Sequence, residues 1–313
     1  MQGFTLLRGR NFVLGTRGSA LALAQARLAE TALRNAHRGI EIETEIFTTS
    51  GDKRENTATA AEGGVKGLFT KELEEALLNG RIDAAVHSLK DLPGRLPERL
   101  VIAAVLERAG TEDVLIAKTP GGLGGLRAAA AIGTGSVRRK MQLLRMRPDL
   151  EVREMRGNVP TRLRKLRDSE ELDALVLARA GLERLGYRVE GGLLEFEAGA
   201  LFHAEVLTEM LPAIGQGAIA LEARRDDTDV MALLSPINHR ETFRCIRAER
   251  EFLRLLNGDC NLPVGARTSL RDTRLSMKAI VFDEAGALAR TGEAQGDDPE
   301  RVANELFRMI YAP

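Results

Sequence analysis

Hydrophobic positions recur along this 313-residue chain with two periods, and the switches between them outline its elements. Residues 12–15 form a short apolar run that predicts a buried strand, and Thr16-Arg17-Gly18-Ser19 reads as the loop after it. A helix is expected over about 20–35, where apolar side chains return at helical spacing, and residues 40–49 alternate as a strand. Residues 50–65 are polar and rich in Gly, Thr and Ala, and an unpatterned stretch of that length predicts a lid. An amphipathic helix over 69–79 closes on Gly80, and a strand over 83–87 ends in Ser88-Leu89-Lys90-Asp91-Leu92-Pro93. The plan then repeats. A strand over 129–133, the loop Thr134-Gly135-Ser136 and a helix over 137–146 stopped by Pro148 precede a strand at 151–155, a helix at 160–167, a strand at 172–177 and a helical start at 181–185.

Strand–helix alternation in both halves predicts an α/β protein with two doubly wound, parallel-rich domains. Ligands of such sheets lie beyond the carboxyl ends of strands, where helix N-termini present free N–H groups. From about residue 229 the character changes to a long helix over 241–256, a loop carrying Cys260, alternating segments at 266–270 and 275–282, and a last helix over 299–311. That pattern predicts a small α+β domain. The expected division is 1–110 with 206–226, then 111–205, then 229–313.

A content of 44% hydrophobic and 29% charged residues is that of a soluble globular chain, and no apolar run approaches the roughly 20 residues of a membrane span. The first ten residues lack the continuous apolar core of a secretory signal. Two cysteines exclude a disulfide framework and suit a reducing cytosol, and four scattered histidines make no zinc pattern. The zero net charge hides an imbalance: 37 arginines stand against 8 lysines, and residues 138–167 hold eleven basic residues but three acids. Guanidinium groups fork onto carboxylates and phosphates, so the cluster predicts an anion site. Neutral overall charge, 4% aromatic residues and no tryptophan weigh against a nucleic-acid binder.

Neither glycine turn matches a Walker loop or a dinucleotide fingerprint, but Arg17 and the Arg138-Arg139 pair add cations near two expected helix starts. His87-Ser88-Leu89-Lys90-Asp91 places hydroxyl, ammonium and carboxylate together at a strand end. A carboxylate in basic surroundings stays ionised and can move a proton or stabilise a transient cation, and a surface ion pair is the plainer alternative. His87 alone reads as a packing or hydrogen-bonding residue rather than a catalyst, and Cys245 as a core thiol. Cys260 is open between an inert thiol, a nucleophile and an attachment point.

Eight motifs in order carry a resemblance. They are Gly15-Thr16-Arg17-Gly18-Ser19 through Gln25; Lys66-Gly67-Leu68-Phe69-Thr70-Lys71-Glu72-Leu73; Ala85 to Pro93; Gly133 to Arg139; Arg156-Gly157-Asn158-Val159 with Thr161-Arg162-Leu163; Ala180-Gly181-Leu182 with Arg184-Leu185-Gly186; Leu211 to Gly217; and Asn257-Gly258-Asp259-Cys260 with Pro263-Val264-Gly265. The chain resembles the porphobilinogen deaminases, or hydroxymethylbilane synthases, over essentially its whole length. The resemblance implies a three-domain enzyme of tetrapyrrole biosynthesis whose first two domains look like periplasmic binding proteins. It implies a dipyrromethane cofactor on a thioether to Cys260, with Ser88, Lys90, Thr134, Ser136, Arg138 and Arg139 in contact with it. Four porphobilinogen units would be deaminated and joined, and water would release hydroxymethylbilane. Asp91 would stabilise positive charge as ammonia departs. Arg17, Ser19, Arg156, Arg162 and Arg184 would grip substrate or chain carboxylates, and Lys66 would lie on the loop over the cleft. A cytoplasmic monomer is expected, with no metal, membrane or nucleic-acid partner. Departures are Ala24 where the family often has tryptophan, Gly135 where a hydroxyl residue is usual, and Gly63-Gly64-Val65-Lys66 near the expected lid. A non-catalytic polycarboxylate-binding protein of the same architecture is the alternative.

Overall fold

The computed structural model describes residues 10–49, 70–257, 263–283, 286 and 288–311. The expected lid, Lys66 and Cys260 lie outside the described residues. The described chain folds around three sheets.

The first contains β1 (Phe12–Arg17), β2 (Ile42–Phe47), β3 (Ala84–Ser88), β4 (Leu100–Val105) and, from much later in the chain, β12 (Ile219–Arg224), in the order β2-β1-β3-β12-β4. Successive strand residues point to opposite faces, so each face acquires its own core. Ala84 and Val86 join Phe12, Leu14 and Leu221 under α1 (Ala20–Ala36), while Ala85 joins Phe47 and Ile82 under α2 (Lys71–Leu78). α2 ends as its sequence predicts, with Gly80 in the left-handed region at φ +71°.

The second sheet has seven strands. They are β5 (Asp113–Ala117), β6 (Ala131–Gly133), β7 (Glu151–Arg153), β8 (Ala174–Ala178), β9 (Val189–Glu190), β10 (Leu193–Phe196) and β11 (Ala200–Leu207), in the order β7-β6-β8-β5-β11-β10-β9. A single turn, α3 (Gly122–Gly125), and the helices α4 (Val137–Met146), α5 (Val159–Asp168) and α6 (Arg179–Arg184) connect or flank them. The α/β class holds, but both sheets are mixed rather than parallel-rich. β12 runs antiparallel to β3 and β4, and β5, β9, β10 and β11 make only antiparallel pairs. Direct entry through β5, the hairpins over 189–207 and the return to β12 through 208–218 bring in these strands, and antiparallel neighbours need no crossover helix.

After α7 (Thr228–Leu234), α8 (Arg240–Leu255) and α9 (Pro299–Tyr311) pack on an antiparallel sheet of β13 (Val264–Arg271), β14 (Arg274–Phe282) and β15 (Ala289–Gly296). Phe252, Val281 and Leu306 lie in its core.

Two segments, 106–112 and 208–218, cross between the first two sheets. They touch, with Ala109 N donating to Gly217 O at 3.2 Å. Gly217 sits at φ +86°, and a Cβ there would fall 2.5 Å from the Ala109 carbonyl oxygen, so only glycine fits. Glu249 of α8 secures this crossing from the third unit. It is fully buried, receives Arg108 through both oxygens at 2.6 and 3.0 Å, and accepts from Gly215 N at 2.7 Å.

Candidate active site

The cleft is built at the carboxyl ends of β1 and β3. The loop expected after β1 is shorter than its sequence suggests, because Thr16 and Arg17 continue the strand and only Gly18 and Ser19 separate it from α1. Ser19 caps that helix, accepting from Ala22 N at 3.2 Å. Arg17 and Ser19 line a first cavity with Gln25, Thr70, Ser88 and Asp91. Gln25 is buried and its amide nitrogen lies 2.8 Å from Ser88 Oγ. His87 reaches the same cavity, yet it is buried with Nε2 3.0 Å from Glu222 Oε2, in keeping with a packing role.

After β3 the chain makes one 3-10 turn, Leu89–Asp91, which turns Asp91 into the cleft. A second cavity of about 310 Å³ lies on its other side. Asp91 borders both. Lys90, Ser136, Arg138, Arg139, Arg156 and Arg162 also line the second cavity. Ser136 caps α4 through Arg139 N at 3.4 Å, while buried Thr134 accepts from Ser136 N at 3.2 Å behind it.

Arg138 and Arg139 are 4% and 6% exposed, so these cations belong to the protein interior. Their counter-ion is Asp113, fully buried at the start of β5. Arg138 Nη2 lies 2.8 Å from its Oδ2, and Arg139 donates to Oδ1 from Nε at 3.1 Å and Nη2 at 2.8 Å. Burial alone would raise the Asp113 carboxyl, but the two guanidiniums override it and hold the group well below the carboxylate range. Burial pushes the Lys90 ammonium down to about 8, and Arg139 adds to the shift. Arg138 Nε has no hydrogen-bond partner among the described residues. Buried cations with an unused donor, around one internal carboxylate, fit a ligand that brings several carboxylates of its own.

Arg184 borders neither cavity. Its Nη2 donates to Gly217 O at 2.6 Å on the crossing segment, and burial lowers the guanidinium to about 10. Cys245 is buried as expected, and burial pushes its thiol up. Asp113 escapes the reading from sequence, and Gln25 and Gln216 stand in motifs of the resemblance without a role assigned to them there. A lone acid opening the apolar run of β5 and a glutamine on the apolar face of α1 are the signals that point to the first two. Among the described residues no cluster of three metal-ligating side chains occurs, and no helix is long and apolar enough to cross a membrane.

Two family models match the chain. That for "Porphobilinogen deaminase, dipyromethane cofactor binding domain" covers residues 12–232, and that for "Porphobilinogen deaminase, C-terminal domain" covers 243–312. Among curated relatives, the porphobilinogen deaminase of Syntrophomonas wolfei is 44% identical over 303 residues, covering 96% of this chain and 95% of the relative. That of Desulforudis audaxviator is 46% identical over 299 residues, covering 95% and 93%.

Proposed function

The chain belongs to the porphobilinogen deaminase family and serves tetrapyrrole biosynthesis, and we propose that Asp91 is the point where its two cavities meet in the reaction. The carrying observation is that Asp91 alone among the described residues borders both cavities. In this reading the first cavity receives porphobilinogen, whose acetate and propionate face Arg17, Ser19 and the N-terminus of α1. As the C–N bond of the protonated aminomethyl group breaks, its electron pair leaves with nitrogen as ammonia, and the positive charge passes to the pyrrole. The Asp91 carboxylate opposes that charge.

The second cavity holds the dipyrromethane that the family domain binds, through Lys90, Ser136, Arg138 and Arg139, with Ser88 and Thr134 supporting. When bound, that group supplies the pyrrole carbon to which new units are joined. Arg156 and Arg162 fix further carboxylates, and positioning of rings is much of the catalytic task. Arg184 reaches a substrate carboxylate by exchanging it for the Gly217 carbonyl. By the family resemblance, Cys260 carries the thioether and Lys66 contacts substrate. Joining four units, with loss of one ammonia each, and hydrolysis by water, which releases hydroxymethylbilane, complete the cycle. Three separate sheets support a division at 1–110 with 206–226, 111–205 and 229–313, and the enzyme works as a cytoplasmic monomer.

Intact mass tests the reading. A covalent addition of two porphobilinogen units less two ammonia molecules, mapped to the Cys260 peptide, is expected on the purified protein or after incubation with porphobilinogen. A chain that gains no mass and releases no ammonia would overturn it in favour of simple polycarboxylate binding.

A further inference from the structure

Consecutive helical residues diverge by about 100°, so Arg138 and Arg139 at the start of α4 do not naturally aim at one place. They nevertheless line the same cavity, and what they share is Asp113. Arg138 is steadied further by the Leu211 carbonyl and Arg139 by the Val176 carbonyl, each at 2.8 Å. The same Asp113 Oδ1 accepts from Gln216 Nε2 at 3.0 Å, and Gln216 Oε1 lies 3.5 Å from Lys90 Nζ. The chain of contacts thus runs from β5 of the second sheet, across the 208–218 crossing, to the turn that carries Asp91.

We propose that Asp113 is a positioning residue of the reaction, which converges Arg138 and Arg139 on the second cavity and couples them through Gln216 to Lys90. Its single charge leaves the three cations in excess, so they can share the cavity while retaining attraction for incoming carboxylates. This rests on the assignment of that cavity to the cofactor. The charged groups acting on Lys90 are Asp91 on its own turn, Arg138 and Arg139 from α4, and Asp113 from β5. Asp113 favours the ammonium form.

The test is the rate at which full-length apoprotein gains cofactor mass from porphobilinogen, followed across pH. Asp113→Asn should load roughly tenfold to 100-fold more slowly, by the usual cost of misplaced orienting groups. Its alkaline limb should also move to lower pH, because Lys90 loses a charge that favours its ammonium. Asp113→Glu, which restores that charge, should return the limb toward the wild-type position. A folded Asp113→Asn that loads at the wild-type rate with an unmoved limb overturns the proposal. Should that variant not fold, Gln216→Leu, which removes the bridge without a change of charge, decides in its place. It should move the limb in the same direction, and wild-type behaviour would overturn the coupling. Failure of the wild-type apoprotein to gain mass would instead strike the assignment of the cavity.

Discussion

Helices α4 and α5 look alike as sequences: ten residues each, four of them basic. In α4 the first two cations turn inward, share one buried carboxylate and line a cavity. In α5 the basic residues of the second half turn outward. Arg164 meets Glu197 and Arg167 meets Asp168, with all four side chains a third exposed or more. Burial thus separates helices that charge counting groups together. Under low dielectric an ion pair is strong and its loss costly, whereas solvent weakens the exposed pairs to little. Position along the helix decides which occurs. The first turn of α4 faces the start of β5, where Asp113 lies, while the last turn of α5 places cations where the helix dipole favours them.

The most severe change lies between the two cavities. Asp91→Ala should retain the covalent cofactor by mass yet lower kcat by about 10² to 10³ or more, the scale of losing one charge-stabilising group. A variant with full cofactor and normal kcat would remove Asp91 from the chemistry. The comparison of helices is tested directly by Arg139→Met. It breaks a buried pair and leaves Asp113 with one guanidinium, so a stability loss of about 3–5 kcal/mol is expected by denaturant unfolding. A loss no larger than surface substitutions give would show that burial does not distinguish the helices.

Lys90 sharpens the contrast through pH. Its ammonium falls from the usual 10.5 to about 8 because the folded protein buries it. Between those values the unfolded chain binds more protons, so the contribution of Lys90 makes stability rise with pH, its cost being fully present below pH 8. Lys90→Met should remove that rise in the apoprotein. In the proposed function cofactor loading uses the ammonium, so loading should weaken over the same window in the wild type. Opposite slopes for stability and loading are the expected signature, and parallel slopes would dissociate Lys90 from both.

Strong local periodicity made part of this architecture legible. The bounds of α4 and α9 match the expected 137–146 and 299–311, because capping serine, terminal proline and an unbroken apolar stripe coincide there. The hairpin strands β9 and β10 were not legible, being two and four residues long, with β9 joined to the sheet only through β10 and β10 through β11. β12 was equally hidden, since its partners β3 and β4 lie over a hundred residues earlier. The site divides in the same way. Ser19, Ser136 and Asp91 stand in motifs whose local geometry follows from sequence. The partnership of Arg138 and Arg139 with Asp113 depends on β5 packing against α4, a tertiary fact of which the lone acid opening β5 marks only one end.

The smallest expected effect is the control on which the comparison rests. Arg164 contributes to the excess of basic residues over 138–167 as fully as Arg139 does. It is half-exposed, however, and its carboxylate partner Glu197 also lies within reach of Arg167. Losing it leaves no buried charge, and the remaining arginine still faces Glu197. Arg164→Met should therefore leave the denaturation midpoint, cofactor loading and kcat at wild-type values, at low salt as well as high. A loading defect that appears at low salt and fades as salt is added would show that the outer face of α5 steers the polyanion toward the cleft, and that exposure alone does not exclude an arginine from function.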